Sequence, residues 1–190
     1  MIESQDQERL LSLARRALEA RVRREPPPPP ERGGGCDIAA GAFVSIHCDG
    51  DLRGCLGRLD TAEPLGITIA ALAASVADSD PRFQPVAPAE LPALDLEISV
   101  LTPEREISSI DEIEIGRHGL IVEQAYCRGL LLPQVATEQR WDAETFVSHT
   151  CRKAGLDPDA WRRGARLFVF EAQVFGESER RHERHLRAGR

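Results

Sequence analysis

The chain has 190 residues, 42% hydrophobic and 29% charged, a globular composition long enough to close a core, which excludes a disordered or fibrous chain. Its 24 basic residues, all arginine except Lys153, face 31 acidic ones for a net charge of -7, so no overall basic field draws it onto nucleic acid or anionic lipid. Cys36, Cys48, Cys55, Cys127 and Cys151 form an odd set without a CxxC pair, which excludes a disulfide framework and a zinc ribbon and fits reduced thiols in a cytoplasm.

Glu3 and Asp6 stand where a secretory signal carries basic residues, so the chain is expected to stay where it is made. Leu10, Leu11, Ala14, Ala17, Leu18 and Val22 recur at helical spacing and predict a helix over Gln5–Arg24, with Ser4 and Gln7 as a capping box. Residues 1–25 are thus expected to form a helix docking on the body. Pro26–Pro30 ends it, and with Gly33–Gly35 makes a linker over 26–36. Such a run is a stiff connector, the reading expected, or a ligand for aromatic-grooved modules.

The body, 37–176, opens with alternation over Ala42–Cys48 and the hairpin signal Asp49-Gly50, so Leu52–Arg58 is the returning strand. Pro64 starts a second helix reaching about Val76, with buried stripe Leu65, Ile69, Leu72 and Val76. The apolar stretch Pro64–Ala77 falls well short of the ~20 residues that span a bilayer. Leu94–Val100 alternates strictly, a strand with one wet face. A second hairpin is expected from Glu112–Gly116 and Gly119–Glu123 about Arg117-His118, then a short strand Leu130–Leu132 ended by Pro133. Asp142 caps a third helix ended by Gly155, Asp157-Pro158 starts a turn carrying Trp161, and Leu167–Phe175 reads as one central strand. Residues 177–190 read as a charged tail. Antiparallel strands interrupted by helices predict an α+β fold: an antiparallel sheet flanked by helices, with a smaller strand-rich subdomain.

In Leu52-Arg53-Gly54-Cys55-Leu56-Gly57, Gly54 and Gly57 interrupt a strand, which marks a bulge or a close backbone approach. A guanidinium at Arg53 beside Cys55 favours the reactive thiolate. Two hairpin registers are open. A two-residue turn pairs Cys55 with Val44 on the apolar face, as a core residue; a three-residue turn pairs Cys55 with Ser45 and Arg53 with His47, a polar cluster. Asp80-Pro81-Arg82-Phe83 is a helix stop or a site wall, with Asp80 and Arg82 either a local ion pair or an anion contact. Gln134, framed by Pro133 and Val135, must find partners or face a cleft. His47, His118, His149, His182 and His185 form no metal-ligand spacing, so no metal site is expected.

Taken in order, Gly41–Ile46, Leu52–Gly57, Asp80–Phe83, Glu97–Pro103, Gly129–Ala136, and Trp141 with Cys151, Ala154, Gly155 and Leu156 resemble the AMME chromosomal region (AMMECR) domain family, whose prokaryotic members are also named AmmeMemoRadiSam system protein A. Leu56 stands where the family's hexapeptide usually has Ile. The resemblance implies an intracellular α+β protein in two subdomains with the Arg-Gly-Cys motif near the cleft between them, and association with a Memo-like protein and a radical SAM enzyme; it delivers no activity and leaves any cofactor unknown. Carried over by motif, the site residues are Arg53, Gly54, Cys55 and Gly57, then Arg82 and Gln134. Two functions follow: a cleft that binds a small molecule or protein segment, with Arg53 orienting an anionic group and Cys55 as nucleophile or covalent acceptor, or a non-catalytic interaction module in which Leu52–Gly57 is structural. Residues 33–176 alone carry -10, which argues against nucleic acid and makes Arg53, Arg82 and Arg128 conspicuous.

Overall fold

A computed structural model describes residues 1–59 and 62–178. The tail beyond 178, with His182 and His185, lies outside the described residues. The fold is α+β, built as two compact units: Met1–Val100 with the segment from Gln173 onward, and Leu101–Ala172. Each has a four-stranded sheet, and every strand pair whose register is defined is antiparallel.

In the first unit, α1 (Ser4–Arg23) buries Leu10, Leu11, Ala14, Ala17 and Leu18, the stripe its periodicity predicts. Ser4, expected as the cap of a capping box with Gln7, is instead the first residue of the helix. The N-cap is Glu3, without a side-chain cap, and Gln7 Nε2 donates instead to the Ile2 carbonyl at 2.8 Å. Arg24, at φ 59°, closes the helix in the left-handed conformation. The sheet runs β2 (Asp51–Arg58), β1 (Ala42–Cys48), β3 (Leu94–Leu101), β8 (Ala172–Gly176). Ala42, Val44 and Ile46 meet Leu96, Ile98 and Phe175 in one core with α1 and α2 (Leu65–Ser75). Gly66 of α2 is buried so closely that a Cβ there would stand 2.1 Å from the Glu31 carbonyl oxygen. Gly34–Asp37 forms a 3-10 turn whose Gly35 N–H donates to Asp6 at 2.6 Å, and Cys36 is fully buried.

The second unit orders its sheet β4 (Arg105–Ile107), β7 (Arg166–Phe170), β5 (Gly119–Gln124), β6 (Cys127–Leu131). Leu120, Val122, Leu167 and Val169 pack against α4 (Ala143–Lys153) through Phe146, Val147 and Cys151. Asp142 caps α4, its carboxylate accepting the Thr145 N–H at 2.8 Å, and Gly155 follows its end at φ 75°. The hairpin expected about Arg117-His118 is absent. There Glu114–His118 is a tight turn, with His118 Nδ1 accepting the Glu114 N–H at 3.0 Å. The true hairpin joins β5 and β6 through Ala125 (φ 54°) and Tyr126, residues that carry no turn signature. Pro133 does not merely end a strand: it occupies the first turn of α3 (Pro133–Glu138). The expected strand Leu167–Phe175 is two strands in different sheets, parted at Glu171; both halves are rich in Phe and Val, and a single Glu between them is no turn signal that reveals a change of sheet. Among the described residues no helix is long and apolar enough to cross a membrane.

Candidate functional site

The β1–β2 hairpin combines features of both registers. Asp49 and Gly50 both have positive φ, 53° and 89°, and Cys48 pairs with Asp51, so the turn has two residues. The register then shifts between Ile46 and His47: His47 faces Leu52, but Ile46 faces Gly54, leaving Arg53 as the extra residue of a bulge. The shift puts Cys55 opposite Ser45, away from the core face, and Arg53 is not opposite His47. Gly54 takes the buried position. A Cβ there would lie 3.1 Å from Val76 and 3.2 Å from Ile46, tight enough to press both side chains aside. On the same face as Cys55, Ser45 separates it from Glu97 of β3, and Asp95 faces His47.

Two residues of the bulged strand are bound by the segment after α2. Arg53 Nε and Nη2 reach the two Glu90 carboxylate oxygens at 2.9 and 3.3 Å, and Glu90 also accepts the Ala87 N–H at 2.7 Å. Arg53 first, then Ala87, hold the Glu90 carboxyl below its usual range. β2 is an edge strand, so Cys55 has backbone groups with no strand to meet. Asp80, 4% exposed, accepts the Cys55 N–H at 2.9 Å, while Arg82 Nη2 donates to the Cys55 carbonyl at 3.3 Å. Asp80 and Arg82 are themselves joined at 2.7 and 2.9 Å, and the Arg82 N–H donates to Asp80 at 3.1 Å. The pair therefore does for Cys55 what a neighbouring strand does, supplying one acceptor and one donor. The Arg82 guanidinium holds the Asp80 carboxyl far below the usual carboxylate range; burial opposes this, and the Cys55 and Arg82 N–H groups add to it. Between the two arginines stands Phe83, its ring centre 6.0 Å from the Arg53 guanidinium carbon and 5.4 Å from that of Arg82.

The motifs Leu52–Gly57 and Asp80–Phe83 thus form one cluster in the first unit. Cys55 is half-buried, as are Cys48 and Cys127, whereas Cys36 and Cys151 are fully buried and burial pushes their thiols up. Pairing with Asp80 is the main influence that keeps the Arg82 guanidinium protonated. Gly57 marks a close approach, because a Cβ there would fall 2.1 Å from the Phe43 ring. Gln134 sits exposed on α3 of the second unit. Arg128, also in the second unit, pairs with Glu104 and Glu123. Glu90 was not among the expected site residues; it lies 37 positions from Arg53 in a proline-rich stretch, and no local pattern links them. Among the described residues no three His, Cys, Asp or Glu side chains gather as a metal site.

Comparison with known proteins agrees with this architecture. The AMMECR1 family model matches residues 11–175. A protein of Methanosarcina acetivorans is 48% identical over 144 residues, covering 73% of this chain and 72% of the relative. One from Methanocaldococcus jannaschii is 43% identical over 152 residues, covering 75% and 76%. The crystal structure of an uncharacterized protein from Pyrococcus horikoshii superposes with a TM-score of 0.80 at 37% identity, over 93% of both chains. With the match spanning both units and every motif of the cluster, the chain belongs to the AMMECR1 family.

Proposed function

We propose that this protein is a cytoplasmic component of the AmmeMemoRadiSam system, acting with a Memo-like protein and a radical SAM enzyme, and that it binds a small molecule or protein segment around Arg53-Gly54-Cys55. The observation that carries this reading is the fixed backbone of Cys55, held by Asp80 and Arg82 in a residue that is only half-buried and points away from the core face. In this reading Cys55 is the nucleophile or covalent acceptor. Arg82, whose side chain is 56% exposed, is the cation an anionic group meets first, and Arg53 orients the bulge through Glu90. Gly54 admits close packing against Val76 and Ile46, and Gly57 against Phe43.

A second reading, a non-catalytic interaction module, is favoured by the same saturation: Arg53 and the Cys55 backbone already have partners within the fold. Co-expression with the Memo-like protein and the radical SAM enzyme of the same organism tests the assignment. Both should co-purify with the tagged chain, and Arg53→Ala, checked for its circular dichroism spectrum, should retain markedly less. Failure of both to co-purify at low salt removes the system assignment. Nucleic-acid binding predicts retention on a DNA or RNA column that falls steeply with salt; equal, negligible retention at low and high salt is the expected result.

A further inference from the structure

Pro26–Pro30 is independent of the Cys55 cluster. Proline locks its own φ and drives the residue before it out of the helical region, so five in succession form a polyproline II helix with three residues per turn. Residues three apart therefore share an edge of a three-sided rod. The burial pattern follows that period: Pro28 and Glu31 are partly buried, while Pro26, Pro27, Pro29 and Pro30 are exposed. One edge lies on the protein and two face solvent.

Both ends are fastened. The Glu25 N–H donates to the Ala20 carbonyl at 2.8 Å, continuing the end of α1. At the far end the Glu31 carboxylate accepts from Arg9 at 3.2 Å and Arg16 at 2.9 Å, and Arg9 also donates to the carbonyls of Arg32 and Gly33. The rod is thus pre-organised, and a partner binding it forfeits little chain entropy. Cations flank the outward edges. Arg24 is exposed, and the Arg32 side chain, 58% exposed, has only a 4.0 Å contact with Asp37. With the same two outward prolines, the chain reads as Arg24-x-x-Pro27-x-x-Pro30 in one direction and Pro27-x-x-Pro30-x-Arg32 in the other.

We propose that Pro26–Pro30 is a docking strap for a protein with an SH3-type groove: aromatic-lined slots for the two outward edges and an acidic pocket for the flanking arginine. Residues 1–32, which include the strap and its arginines, carry +1 against -10 for residues 33–176, so an acidic groove is favoured at the strap over the body. The test titrates the full chain with two purified SH3 domains, one preferring each orientation, by calorimetry. Saturable binding of at least one is expected. It should weaken at least about tenfold in Pro27→Ala/Pro30→Ala and in Arg24→Glu/Arg32→Glu, while Pro28→Ala on the inward edge leaves it unchanged. These positions lie outside the core, so melting temperature and circular dichroism should stay at wild-type values in all three variants. Failure of both domains to bind, survival of binding in both double variants, or an equal loss with Pro28→Ala overturns the proposal.

Discussion

Asp80→Ala is expected to destabilise the first unit by about 3 kcal/mol, measured by urea unfolding. The substitution removes a buried carboxylate from the Cys55 N–H and from Arg82, and an unpaired buried donor alone costs about 1–3 kcal/mol. Arg82 is more than half exposed and regains water, which keeps the loss below that of a fully buried pair. Asp80→Asn should fall between wild type and Asp80→Ala, because the amide oxygen still accepts from Cys55. The sign of the pH dependence follows from the direction of the shift. Asp80 has its carboxyl lowered in the folded state, first by Arg82, so its contribution is fully present above the unfolded value of about 4 and is lost as pH falls towards the folded one. The stability gap between wild type and Asp80→Asn should therefore narrow on acidification below about pH 4. A gap that stays constant or widens contradicts the ion pair.

Gly57→Ala should cost about 2 kcal/mol, because its Cβ falls inside the Phe43 ring and either the ring or the edge of β2 must move. The decisive feature is coupling. Phe43→Ala alone loses the packing of a half-buried ring, but in the Phe43→Ala background the Gly57→Ala change should cost almost nothing. Additive losses in the double variant would falsify the ring-on-glycine contact.

How the sequence relates to this structure is seen best at the hairpin. Gly54 and Gly57 announce close approaches, and both occur: one against Val76 and Ile46, the other against Phe43. The position of Cys55 is not legible, since Asp49-Gly50 specifies a two-residue turn whose undisturbed register puts Cys55 on the apolar face. A bulge at Arg53 reverses that outcome, and it is fixed by contacts distant in the chain, with Glu90 on Arg53 and Asp80 on Cys55. Helices α1, α2 and α4 and strands β1 and β3 show in the periodicity because each has one apolar face, whereas β2 shows through the Asp49-Gly50 turn that precedes it. Strand β5 is read almost to its bounds and β6 only in part, but their pairing is missed because the hairpin turns at Ala125-Tyr126, and the break at Glu171 is hidden within a run that stays rich in Phe and Val on both sides of it. Asp80-Pro81-Arg82-Phe83 was legible as an ion pair and a helix stop; its work as a substitute strand edge depends on β2 lying at the margin of its sheet.

Alkylation of Cys55 by iodoacetamide, followed by site-resolved mass spectrometry in wild type and Arg82→Gln from about pH 5 to 9, tests most directly whether the clamp holds a reactive thiol. Cys55 in the native protein should react faster than the same cysteine in the denatured chain, Arg82→Gln should slow it, and Cys36 and Cys151 should stay unmodified. A Cys55 that reacts no faster than in the denatured chain at any pH, or at a rate indifferent to Arg82, contradicts the account and leaves Leu52–Gly57 as a packed structural turn.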